Sequence, residues 1–202
     1  MTHREEILTY LKEKYAPMTI ALYGSYAEGT QDEHSDFDCL LITKTKVRAH
    51  DDAVVGGVML DCFIYTEEEI RRLNLEEFLP LFGAQLTEDT GLGAALQKRV
   101  QDYVQRHSKR APEEKEFLRS WIRKTMRRME KGDAEGDFRA IAFLAESLED
   151  YDLLRDRFYF GSKKALQALR KEDASGFALF QEAISQRSNE AILAWGQYVL
   201  GD

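Results

Sequence analysis

The sequence is poor in cysteine, proline and tryptophan, with 2, 3 and 2 copies among 202 residues. Two cysteines cannot build a disulfide framework. Cys39 and Cys62 both sit in apolar, strand-like runs, and their plain reading is a pair of reduced, buried thiols. That reading sets the expectation of a cytoplasmic protein. No run of 18 apolar residues exists, so nothing is expected to span a membrane. The opening MTHREEILTYLKEKY carries both signs of charge and lacks the uninterrupted apolar core of a signal peptide. The histidines His3, His34, His50 and His107 show no metal-ligand spacing. There is no internal repeat and no low-complexity tract.

What is present suits one globular domain, or two small ones sharing an interface: 44% of residues are hydrophobic and 32% charged. The net charge of −8 argues against nucleic acid as a partner. Charge is unevenly spread. From Lys98 to Lys131, 12 Lys/Arg against 5 Asp/Glu give +7, leaving −15 for the remainder. Two readings stand: an acidic segment and a basic one holding a metal–phosphate ligand between them, or two solvated faces.

Along the chain, residues 4–15 have helical spacing at Ile7, Leu8, Leu11 and Tyr15, ended by Pro17. MTIALYG predicts a short buried strand stopping at Gly24, FDCLLIT a second, and GGVMLDCFIY a third, entered through a Gly56-Gly57 turn. TEEEIRRL opens as a capping box, with Thr66 as N-cap and Glu69 three residues on. From Gly91 the pattern is helical. LGAALQKRVQDYVQRH is one helix, and Pro112 opens the next, whose expected buried stripe is Phe117, Trp121, Ile122, Thr125 and Met129. Segments 137–157, 162–171, 174–186 and 189–200 are also expected to be helical. The expected class is α+β: a small mixed β-sheet domain with flanking helices over 1–90, then an all-helical bundle over 91–202.

The chemistry gathers in LYGSYAEGTQDEHSDFDCLLI, residues 22–42. Residues i and i+2 of a strand share a face, so Asp36 and Asp38 project together while Phe37 and Cys39 point into the core. Close carboxylates repel, and a proton or cation must relieve them. Mg²⁺ suits that role because it takes oxygen ligands and keeps positions for phosphate oxygens. Asp61 breaks the next apolar strand and joins the same cluster if the two strands are neighbours. Three convergent carboxylates hold two metal ions, as in-line displacement at phosphorus requires. Earlier, Gly24 lets backbone approach a ligand closely, the N–H groups of the turn after it favour an anion such as a triphosphate, and the Ser25 hydroxyl adds a donor.

Gly24-Ser25, a ten-residue spacer, Asp36-Phe37-Asp38 and the later strand carboxylate Asp61 resemble the signature of the DNA-polymerase-β-like nucleotidyltransferase superfamily. Gly29 and Ser35 match further family positions. The helical half, with YFGSKKALQAL, resembles the C-terminal bundle of small bacterial lincosamide and kanamycin nucleotidyltransferases. The resemblance implies that Asp36 and Asp38 ligate Mg²⁺, two ions in all, that Gly24, Ser25 and Ser35 belong to the triphosphate site, and that Asp61 is the third ligand or the base for the incoming hydroxyl. The implied reaction moves a nucleoside monophosphate, AMP from ATP foremost, to a small-molecule hydroxyl and releases pyrophosphate. The acceptor would be an antibiotic or another small molecule, and the protein a monomer or homodimer. Transfer to a protein side chain and a non-catalytic nucleotide-binding protein on the same fold are the alternatives.

One departure stands out. Many minimal members carry a basic residue where this chain has Glu28, which repels phosphate unless it faces solvent. Lys163 and Lys164 come after Gly161-Ser162 at a helix start, where the helix dipole disfavours cations. They are read either as reaching β- and γ-phosphates or as a solvated pair. Arg119, Arg123 and Arg127 form an outer helical stripe paired with Glu116 and Glu130. Glu146 and Glu149 either bind or deprotonate a basic acceptor or form an exposed acidic face.

Overall fold

The computed structural model describes residues 2–201. The chain divides into two compact units, Met1–Tyr103 and Val104–Asp202. The division falls inside a helix, later than the expected boundary at residue 90.

The first unit begins with α1 (His3–Tyr15), closed at its start by a Thr2–Glu5 capping box. Then come β1 (Thr19–Leu22), α2 (Gly24–Glu28), β2 (Phe37–Thr43), β3 (His50–Asp51), β4 (Val54–Val55) and β5 (Val58–Thr66). The unit continues with α3 (Glu67–Arg72), a 3₁₀ segment (Leu75–Leu81), β6 (Gln85–Asp89) and the larger part of α4 (Leu92–Ser108), whose last turn belongs to the second unit. The Thr66–Glu69 capping box opens α3 as the sequence predicts. Gly56 and Gly57 both have positive φ, the backbone a tight two-residue turn between β4 and β5 requires.

The strands form one sheet in the order β3-β5-β2-β1-β6, with β4 also on β5. β2 and β5 are parallel and the other pairs antiparallel, which makes the sheet mixed. The β2–β5 register runs from Phe37↔Leu60 to Thr43↔Thr66 and sets Asp38 opposite Asp61 and Cys39 opposite Cys62. The two thiols are free and buried, and the Cys39 thiol is pushed well up by its contact with Cys62 and by burial. Ile7 and Leu11 of α1 pack on the sheet face made by Leu22, Phe37, Cys39, Leu41, Leu60, Cys62 and Ile64. Strand alternation therefore sends Met59, Asp61 and Phe63 to the other face of β5, where Met59 and Phe63 are exposed.

β3, β4 and β6 escaped the sequence reading. Two residues show no period, and the polar Gln85–Asp89 segment forms an edge strand blunted by its charges.

The second unit carries α5 (Pro112–Met129), α6 (Ala134–Leu154), α7 (Ser162–Glu172), α8 (Ala174–Gln186) and α9 (Asn189–Leu200). Trp195 is its fully buried centre, donating its indole N–H to Ser147 Oγ at 2.8 Å and packing against Tyr151 and Phe180. Asp173 ties three helices together. It accepts from Tyr151 and Tyr198 hydroxyls at 2.6 and 2.7 Å and caps α8 through Gly176 N. The expected α5 stripe needs one correction. Phe117 is 76% exposed, while Leu118, Ile122, Thr125, Met126 and Met129 face the core. The stripe runs through 118, 121–122, 125–126 and 129, and Phe117 stands about 100° round the helix from Leu118.

Candidate functional site

Gly24 opens α2 directly after β1, with φ +66. A Cβ built on it would lie 2.1 Å from Asp38 Oδ2. Only glycine therefore serves here twice over: it adopts the left-handed backbone, and it lets the Asp38 carboxylate rest against the turn. Backbone bonds fix this junction, since Tyr23 N donates to Asp38 O at 3.2 Å, and the Tyr23 hydroxyl reaches Cys39 O at 3.4 Å. Burial pushes the Tyr23 phenol well up, and the negative groups around it, Asp38 and Asp61 among them, push the same way. Ser25 is the second residue of α2, and Glu28 at its end is exposed.

The loop from Gly29 to Asp36 is organised by its own side chains. Ser35 Oγ donates to Asp32 Oδ1 at 2.9 Å and accepts from Asp32 N at 2.9 Å. His34 N also donates to Asp32 Oδ1. These bonds, with Ser35 the largest influence, hold the Asp32 carboxyl below its ordinary range. Ser35, expected at the triphosphate, is thus engaged in building the loop. Asp36 lies just outside β2 and is exposed. It lines a cavity of about 820 Å³ together with Arg4, Tyr26, His34 and Met59.

Asp38 and Asp61 sit side by side on neighbouring parallel strands, in register and on the face away from α1. Asp61, its side chain 41% exposed, meets a partner the sequence did not suggest. His50 Nε2 is 2.7 Å from Asp61 Oδ1. The His50 ring packs on Phe63 at 4.8 Å between centroids. Of the expected carboxylates, then, the sheet brings Asp38 and Asp61 onto one face and leaves Asp36 at the strand's approach. Lys163 and Lys164 open α7 in the second unit, Lys164 lying over the Phe160 ring. Glu146 and Glu149 are exposed on α6.

The sequence reading missed His50 because it looked for histidines spaced as metal ligands, whereas this one partners a carboxylate. The signal available was a histidine and an aspartate ahead of a glycine turn that feeds the Asp61 strand.

Paired strand carboxylates behind a glycine turn suit the handling of phosphoryl groups. The family model described as a nucleotidyltransferase domain matches residues 4–127, and the chain belongs to that family. Its general activity is nucleotidyl transfer, carried out with a nucleoside triphosphate and a divalent metal. No curated protein matches the chain.

The residues fit such a metal in kind. Asp38 and Asp61 are hard oxygen donors on one face, and Gly24 keeps the backbone beside Asp38 open where a Cβ would fill the space. Among the described residues, no three His, Cys, Asp or Glu side chains already form a metal-holding group. Nucleotide phosphate oxygens or water would have to supply the remaining ligands. Among the same residues, no helix is long and apolar enough to cross a membrane.

Proposed function

We propose that the protein transfers a nucleoside monophosphate, AMP in the first instance, from Mg²⁺–NTP to a hydroxyl of a small-molecule acceptor. The acceptor oxygen bonds to the α-phosphorus, the bond from that phosphorus to the bridging oxygen breaks, and pyrophosphate leaves. Bound Mg²⁺, two ions in the fullest form of the site, supplies charge neutralisation for the nucleotide and the leaving group. Asp38 and Asp36 hold the metal–nucleotide. Asp61 completes the ligand set or takes the acceptor's proton. The Gly24-Ser25 turn presents backbone N–H groups and a hydroxyl to the outer phosphates.

The observation that carries this reading is the Asp38–Asp61 register with Gly24 pressed against Asp38. Family membership supports it. Glu28 is exposed at the end of α2, as the solvent-facing reading of that acid requires.

The test is incubation with labelled NTPs, Mg²⁺ and an acceptor panel that includes hydroxylated antibiotics and protein side chains. Pyrophosphate release is expected from one NTP–acceptor pair, lowered by about 10²–10³-fold in Asp38→Asn. Tight nucleotide binding with no turnover across the panel would replace this reading with a non-catalytic nucleotide-binding protein.

A further inference from the structure

His50 touches an expected site carboxylate without itself being part of the motif. Its contact is short and specific, 2.7 Å from Nε2 to Asp61 Oδ1. An ionised carboxylate only accepts hydrogen bonds, so with Asp61 in that form His50 holds the contact by donating an Nε2–H. Without that bond, the Asp61 carboxylate turns about a broad, two-fold terminal torsion. With it, Oδ1 is pinned and the orientation of Oδ2 is set with it.

The histidine is itself held. It pairs with Phe63 across the β3–β5 ladder, and its ring packs on Phe63 at 4.8 Å. The next residue, Asp51, points the opposite way and is fully buried. There Asp51 accepts from Tyr15 at 2.6 Å, Tyr10 at 3.0 Å, Lys14 at 3.1 Å and Arg48 at 2.8 Å. A strand of only two residues, which could not hold its place by ladder bonds alone, is thereby riveted to α1 and its C-terminal end. The anchor on one face fixes the imidazole on the other.

We infer that His50 is the positioning residue of the site, orienting the Asp61 carboxylate toward the divalent cation through its Nε2–H bond. The inference rests on the nucleotidyl-transfer reading above. Outer partners of ligating carboxylates commonly govern metal affinity by about 10–100-fold. His50 therefore acts through Asp61 and needs no contact with the substrate.

Two measurements test it. Long-range ¹H–¹⁵N NMR of the metal-free protein is expected to show His50 in the Nε2–H form, a preference lost in Asp61→Ala. Mn²⁺ binding in the presence of a non-hydrolysable ATP analogue, monitored by electron paramagnetic resonance, is expected to weaken by about 10–100-fold in His50→Ala. His50→Gln, which keeps an N–H near the same place, should restore most of it. The melting temperature reports the general structural role separately, and a loss of fold alone would not be rescued at the metal by glutamine. Unchanged Mn²⁺ affinity in a folded His50→Ala, or a tautomer indifferent to Asp61, overturns this inference and leaves the proposed function standing. A wild-type protein that binds no Mn²⁺ with nucleotide overturns both.

Discussion

Asp51 and Asp150 are both buried, and their surroundings drive their protons in opposite directions. Around Asp51, burial alone would raise the carboxyl, but Tyr15, Lys14 and Tyr10 donate to it and hold it down at about 2. Asp150, on α6, has an Oδ2 with no hydrogen-bond partner among the described residues. Burial, reinforced by Glu146 and Glu149, pushes its carboxyl up to about 7. The signs come from linkage. A depressed carboxyl stabilises the fold fully above its ordinary value of 3.8 and stops doing so as pH falls through about 2. A raised carboxyl favours the fold below 3.8, and that contribution is lost as pH rises through about 7. Melting temperature against pH should show both. Asp51→Asn is expected to be less stable at pH 7 and to lose part of the acid limb, which is worth about 2 kcal/mol at about 1.4 kcal/mol per unit. Asp150→Asn is expected to flatten the decline from about pH 4 to 7 and to melt higher than wild type at pH 8. Curves parallel to wild type would remove the assignment. Gly24 belongs to the same scale: its missing side chain leaves the space that the Asp38 carboxylate occupies.

At the scale of elements, β5 shows how one strand serves two purposes. Val58, Leu60, Cys62 and Ile64 build the core against α1, and Met59, Asp61 and Phe63 face outward. VMLDCFIY was legible as an apolar strand broken by Asp61, its two faces being told apart only in the sheet, and the 3.6-residue period made most of the helices legible. β2 appears over the very residues of FDCLLIT, and α7, α8 and α9 begin at or beside their expected starts. The helix α5 was legible in extent and in most of its buried stripe, and only Phe117 was misplaced, because a bulky Phe117 beside Leu118 fits an apolar stripe on sequence alone. Substitution distinguishes the two positions. Ile122→Ala is expected to cost about 2–5 kcal/mol by opening a cavity, and Phe117→Ala to stay within about 0.5 kcal/mol, as chemical denaturation would measure. Equal losses at both positions would contradict the phase described here. The short β3 was beyond sequence reasoning: His50-Asp51 has neither length nor period, and its place is set by what Asp51 meets across the fold.

At the scale of the molecule, the family match over 4–127 passes beyond the first compact unit into α5, so sequence kinship and compact structure do not share a boundary. A cation and nucleotide that bind only the folded chain stabilise it by mass action, by about 2.7 kcal/mol at a hundredfold excess over Kd. Mg²⁺ with a non-hydrolysable ATP analogue is therefore expected to raise the melting temperature, EDTA to reverse the rise, and Asp38→Asn to abolish it. A rise that survives both treatments would place the nucleotide elsewhere. By itself, the sequence determined the motif, the strands that carry it and the helical character of the second half, because spacing and periodicity are local properties of a chain. Only the tertiary structure decided that β2 and β5 lie parallel with Asp38 beside Asp61, that Asp36 stays at the strand's approach, and that His50 reaches Asp61. Strand neighbours and register are set by which apolar faces bury together, and that choice involves residues far apart in the chain.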